Sequence, residues 1–226
     1  MTCKDKNNMK DLYKKTLESW QHHHPEWDIR VYDDSDMFNF IKDNYSSDIV
    51  DKVNSFKKLI FKIDIFKLLV LYKYGGIYTD MDVECIQNFD SLLADIDEPV
   101  ILGYGPAGNN NGMYARIKLV ECAVMIGKPG HKFWMDFVDS ISPYVEGTKE
   151  NNPVHITGPL AITRFIENYS DKASIKLLDP VYFYPITSTL RRIPKAERNY
   201  RKKLLKNKNY DKLTYCVHLF DGSWTH

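Results

Sequence analysis

Apolar positions along the chain follow helical and alternating spacings in turn. Residues 9–24 place Leu12, Leu17 and Trp20 on one side of a helix that Pro25 stops. "WDIRVYDD" alternates from Trp27 and predicts a strand ending in a turn. Asp34 or Ser35 can cap a short helix running through Phe40. Residues 59–74 are apolar on most of their surface and predict a helix that ends at Gly75-Gly76. A short strand, "GIYT", follows. "PVILGYG" and "LVECAVMIG" predict strands flanking the loop "PAGNNNG". Residues 131–141 and 160–169 read as helices, and "IKLL", "VYFYP" and "LTYCVHLF" as strands. Strands alternating with helices predict an α/β layered fold.

Composition narrows the picture. The 226 residues are 43% hydrophobic and 27% charged, which suits one domain with a sizeable core. A net charge of +1 gives no basis for nucleic acid as a partner. The four cysteines are scattered and form no CxxC pair, against a disulfide framework or zinc ribbon and for a reducing compartment. The most apolar stretch is interrupted by Lys62, Asp64 and Lys67, so no membrane span is expected, and no signal peptide is evident. The expected location is cytoplasmic or peripheral to a membrane. Segment 191–212 carries ten Lys or Arg against Glu197 and Asp211. It reads either as a solvated helical surface or as a patch for an anionic acceptor or membrane headgroups.

The chemistry concentrates in "LVLYKYGGIYTDMDVE". In a strand, residues two apart share a face, so Asp80 and Asp82 are expected to converge. Converging carboxylates repel unless a cation or a shared proton lies between them. Mn²⁺ or Mg²⁺ meets that need and keeps positions open for phosphates. A D-x-D alone is equally compatible with a solvated turn.

Its surroundings decide between these. Lys62-x-Asp64-x-x-Lys67 followed by "LLVLYKYGGIYTDMDVE" resembles the glycosyltransferases grouped as family 32, the DxD sugar-binding-region family. That family includes the yeast initiating α-1,6-mannosyltransferase and is distantly similar to glucosylating bacterial toxins. "ESWQHHHPEWDIRVYDD", "HITGPLAITRF", "YFYP" and "HLFDGSW" extend the resemblance over residues 19–224. The resemblance implies a GT-A fold over residues 1–226: a single Rossmann-like mixed sheet with helices on both faces. The basic segment 191–212 and a lid at 218–226 would lie at the C-terminal end.

The family motif, carried over position by position, implies the following roles. Asp80 and Asp82 hold Mn²⁺ or Mg²⁺ against a nucleotide-sugar diphosphate, and His218 completes the coordination, with Asp221 and Ser223 as further candidates. Asp64 and Lys67 contact donor-sugar hydroxyls; Lys67 stands where the family usually has Arg, so a point charge replaces a planar fork. Gly76, Tyr78, Asp80, Ser223 and Trp224 complete the donor-binding set, with packing as the alternative for Tyr78 and Trp224. Thr157-Gly158-Pro159 would open a helix toward a phosphate or acceptor hydroxyl, and residues 109–111 would lie at the acceptor mouth. Glu121 is either an extra acid near the sugar or a strand residue. The family's usual first strand has no counterpart in "MTCKDKNNMKDLYKK", which leaves the donor base open.

The implied activity is metal-dependent, retaining transfer of a hexose from UDP- or GDP-hexose to a glycan, glycolipid or protein acceptor. Asp64, Asp80 and Asp82 would be the catalytic residues. The alternative is a non-catalytic member that binds a nucleotide sugar or glycan. A haloacid-dehalogenase-type phosphotransferase also uses D-x-D, but its later acidic motif is not found.

Overall fold

Sixteen residues from Leu59 to Tyr74 carry almost no polar face, and a helix with apolar side chains all round must be buried. In the computed structural model, which describes residues 1–106, 118–142, 152–186 and 208–221, this segment is the central helix. It is α4, preceded by α1 (Asp11–His23), α2 (Asp34–Asn44) and α3 (Ser47–Ser55). Ile65, Phe66, Leu69 and Leu71 are fully enclosed. Each such side chain contributes on the order of 1.5–3 kcal/mol by leaving water. The helix stops where Gly75 turns to φ 65° and Gly76 to φ 83°, both in the left-handed region. A Cβ on Gly75 would also lie 2.6 Å from Pro129 Cδ and 2.8 Å from the Gly127 carbonyl oxygen, so only glycine fits.

That tight reversal launches β1 (Gly76–Thr79), followed by β2 (Val83–Cys85), α5 (Asp90–Ala94), β3 (Val100–Tyr104) and β4 (Val120–Gly127). The remaining elements are α6 (Lys132–Ser140), α7 (Pro153–Ile156), α8 (Pro159–Asn168), β5 (Ile175–Leu178), α9 (Pro180–Phe183) and β6 (Cys216–His218). Four strands form a mixed sheet in the order β1-β4-β3-β5, with β4 antiparallel to both neighbours and β5 parallel to β3. β2 and β6 form a separate antiparallel ribbon beside the one sheet that was expected.

Side-chain alternation divides the core into two. Tyr78, Val100, Leu102, Cys122 and Met125 pack with α2, α3, α4, α6 and α8 on one face. Ile101, Ala123, Val124 and Ile126 pack on the other face with Trp20 of α1, Leu92 of α5, Phe183 of α9 and the ribbon. The result is an α/β sheet covered on both faces.

Three sequence expectations are corrected. "WDIRVYDD" forms no strand; Tyr32 makes only a single parallel bridge to Thr2. "VYFYP" is not a strand but one helical turn, started by Pro180 and burying Phe183 and Tyr184. The cap of α2 is Asp33, which accepts from the Asp36 amide at 2.9 Å while Asp36 accepts from the Asp33 amide at 3.1 Å. The helix then runs past Phe40 to Asn44. Asp33→Ala removes this reciprocal cap and should cost about 1 kcal/mol in urea unfolding. All four cysteines are free, and no helix among the described residues is long and apolar enough to cross a membrane.

Candidate active site

β1 delivers the acids. The Asp80 amide makes the last rung with the Ala123 carbonyl at 2.8 Å, and the chain then turns, the Val83 amide donating to the Asp80 carbonyl at 3.1 Å. Asp80 and Asp82 therefore project from a turn between β1 and β2, and not from one pleated strand as their spacing had implied. In the ribbon Val83 lies opposite His218, and the Leu219 amide donates to the Asp82 carbonyl at 2.8 Å. One ligand atom each from Asp80, Asp82 and His218 lies within 4.8 Å of the others.

Each acid has its own partners. Asp80 Oδ1 faces Lys67 Nζ at 3.0 Å and accepts from the Tyr78 hydroxyl at 3.2 Å. Lys67, only 4% exposed, also meets Asp64 Oδ1 at 3.1 Å. The Thr157 hydroxyl donates to Asp64 Oδ2 at 2.6 Å. Asp82 Oδ2 accepts from the Asp221 amide at 2.8 Å and faces His218 Nε2 at 3.3 Å. His218 Nδ1 is buried without a hydrogen-bond partner among the described residues.

These contacts set the protonation of the groups. Burial pushes the Asp80 carboxyl up, with Lys67 opposing and Asp82 adding to the rise. Burial also pushes on Asp82, but the hydrogen bond and charge of His218 and the Asp221 amide outweigh it and hold this carboxyl below its usual range. For His218, burial favours the neutral ring; Asp82, Asp80 and Glu121 outweigh it and raise the pKa. Lys67 stays charged because Asp80 and Asp64 overcome its burial. Lys67 is thus the paired cation of Asp64 and Asp80, while Asp82 faces His218.

A divalent cation fits this set. Two carboxylates are hard donors suited to Mn²⁺ and Mg²⁺, and the imidazole is a borderline donor that Mn²⁺ accepts more readily than Mg²⁺. His218 also has a buried ring nitrogen still lacking a partner.

The structure gathers Asp64, Lys67, Asp80, Asp82 and His218 into one network. Tyr78 is buried and joins through its hydroxyl, which also pairs with Thr2 Oγ1 at 2.6 Å. Gly76 lies at the other end of β1 and does not reach the carboxylates. It lines a cavity of about 770 Å³ beside β1, whose lining includes Gly76 to Thr79 but neither Asp80 nor Asp82. Glu121, on β4, is near enough to act on the charge of His218 but lies outside the three-residue cluster. Asp221 lies outside the three-residue cluster, and its Oδ2 binds Lys10 Nζ at 2.7 Å and the Tyr13 hydroxyl at 2.9 Å. Ser223, Trp224, residues 109–111 and most of the basic segment and lid lie outside the described residues; at the edge of that segment Lys208 pairs with Glu84.

Sequence reading missed the Thr157 hydroxyl as a partner of Asp64 and the Asp221 amide as a partner of Asp82. "HITGP" marked the first region, though not the contact; a backbone donor leaves no mark in residue types.

A mixed sheet with an aspartate pair at the end of one strand is the arrangement of GT-A glycosyltransferases. The fold is similar to that of the solved PaToxG Glycosyltransferase, with a TM-score of 0.50 at 15% identity, over 77% of this chain and 70% of that one. Residues 10–97 match the family described as Glycosyltransferase sugar-binding region containing DXD motif. Inositol phosphoceramide mannosyltransferase 1 of Schizosaccharomyces pombe is 26% identical over 140 residues, 61% of this chain and 40% of that protein. Inositol phosphoceramide mannosyltransferase 3 of the same yeast is 36% identical over 70 residues, 31% of this chain and 19% of that protein. The initiation-specific alpha-1,6-mannosyltransferase of Candida albicans is 27% identical over 93 residues, covering 40% and 24%. The chain thus spans two fifths or less of the length of these three curated relatives.

Proposed function

We propose that this chain is a metal-dependent, retaining glycosyltransferase that moves a hexose from UDP- or GDP-hexose to a hydroxyl of a glycan, glycolipid or protein. The observation that carries this reading is the convergence of Asp80, Asp82 and His218 within 4.8 Å, beside the buried Lys67. The names of the relatives make mannose the first sugar to test and a glycolipid the first acceptor.

Asp80, Asp82 and His218 would hold Mn²⁺ or Mg²⁺, which supplies the charge that a departing nucleoside diphosphate requires. Asp64 and Lys67 would contact the donor sugar, and Lys67 at the same time opposes the rise that burial imposes on the Asp80 carboxyl. No described side chain stands out as a covalent nucleophile, which favours front-face displacement, the leaving phosphate oxygen taking the acceptor's proton.

Incubation with Mn²⁺ and a panel of nucleotide sugars should release nucleoside diphosphate from one donor, and EDTA should stop it. Nucleotide binding without turnover on any donor, with or without acceptor, would replace this reading with that of a binding protein.

A further inference from the structure

One face of α1 grips the turn that carries the two acids. The Thr16 hydroxyl donates to the Met81 carbonyl, Trp20 Nε1 donates to the Val83 carbonyl at 2.9 Å, and Ser19 Oγ accepts from the Cys85 amide at 2.9 Å. One turn earlier on the same helix, Tyr13 and Lys10 bind the Asp221 carboxylate at 2.9 and 2.7 Å. Lys10 sits at the helix N-cap, so positions 10, 13, 16 and 20 form one row at helical spacing. Residues more than two hundred apart in sequence are thereby tied together beside the acids.

The tie has a direct effect on Asp82. Between His218 and Asp221 the chain passes through Phe220 at φ 53°, a left-handed backbone that a residue with a Cβ holds only when its surroundings enforce it. The Leu219 amide then meets the Asp82 carbonyl, and the Asp221 amide meets Asp82 Oδ2 at 2.8 Å. The second contact occupies one carboxylate oxygen and leaves Oδ1 for another partner.

We propose that Lys10 and Tyr13 are positioning residues: by anchoring the Asp221 carboxylate on α1 they present its amide to Asp82 and orient that side chain toward the cation. This rests on the reading of Asp80, Asp82 and His218 as a divalent-cation site. Partners of metal ligands commonly change affinity by 10- to 100-fold when removed. Lys10 and Tyr13 stand one step further out, so the low end of that range is expected.

The test compares the full-length protein with Tyr13→Phe, Lys10→Met, their double variant and Lys10→Arg. Mn²⁺ affinity is measured by calorimetry, and amide exchange over residues 219–221 by mass spectrometry without metal. In the double variant Mn²⁺ affinity should fall about tenfold and protection of those amides should be lost, while Lys10→Arg should retain both. Asp82→Ala should also release the Asp221 amide. Unchanged protection in the double variant would overturn the proposal, as would unchanged Mn²⁺ affinity. If the wild-type protein binds no Mn²⁺, the cation reading fails, and the proposal that Asp82 is oriented toward a cation falls with it. Lost protection in that case leaves only a structural tie, so the two failures remain distinguishable.

Discussion

Asp82→Asn should leave the protein folded, abolish measurable Mn²⁺ binding and lower the rate of sugar transfer by roughly 10²–10³-fold. The magnitude is that of removing one charged or hydrogen-bonding group from a site that stabilises developing charge. The amide oxygen of asparagine can still accept from the Asp221 amide, and the ribbon contact through the Asp82 carbonyl is unchanged. The difference therefore lies in charge. Wild-type Asp82 is held ionised by His218 and the Asp221 amide against its own burial; asparagine cannot offer a cation that anionic oxygen. A nucleotide sugar with Mn²⁺ at about a hundred times its Kd should stabilise the wild-type protein by about 2.7 kcal/mol, and the variant far less. Equal stabilisation of the two by donor and Mn²⁺ would remove Asp82 from the site.

Parts of this arrangement were legible from residue types. Segment 59–74 reads as a helix because it is long, apolar and closed by two glycines, and α4 has those bounds. "GIYT" reads correctly as β1 because no other element fits between those glycines and the acids. Segments whose conformation depends on distant partners were misread. "WDIRVYDD" has a strand's alternation, but its described pairing is a single bridge. In "VYFYP" the preceding Asp179-Pro180 starts a helical turn, and burial of Phe183 and Tyr184 satisfies the same aromatic pattern without a ladder. "LTYCVHLF" yields only a three-residue strand because its partner β2 is equally short. Helix α3, with Val53 as its buried residue, was missed because it is short and mostly polar, with Ile49, Val50 and Val53 as its apolar residues.

The acids show the same division. Their convergence was foreseen from strand pleating, yet a turn produces it, so the outcome was right and the local cause different. The pairing of Asp64 with Lys67 follows from helical spacing alone. That Lys67 also reaches Asp80 could not be read, because it depends on how α4 packs against β1.

That second contact makes Lys67→Met the most destabilising change expected at the site. Methionine keeps most of the length and apolar bulk, so little packing is lost. What disappears is the shared cation of two carboxylates, whose side chains are 8% (Asp64) and 29% (Asp80) exposed. Removing one member of a buried ion pair typically costs about 3–5 kcal/mol, because the remaining charge stays desolvated. Asp64 retains the Thr157 hydroxyl and Asp80 the Tyr78 hydroxyl, which sets the expectation at the low end, about 3 kcal/mol in urea unfolding at neutral pH. The pH dependence gives an independent check. Burial already raises the Asp80 carboxyl, and Lys67 is the largest influence opposing that rise. Without Lys67 the folded protein binds the Asp80 proton more tightly still, while the unfolded chain does not. A carboxyl whose folded pKa exceeds its unfolded value loses stability as pH rises between the two and regains it as pH falls. The gap between variant and wild type should therefore narrow from pH 7 toward the ordinary carboxylate range. Lys67→Arg, which restores the charge, should recover most of the loss at every pH. A gap independent of pH would mean that packing, and not the two acids, accounts for the cost.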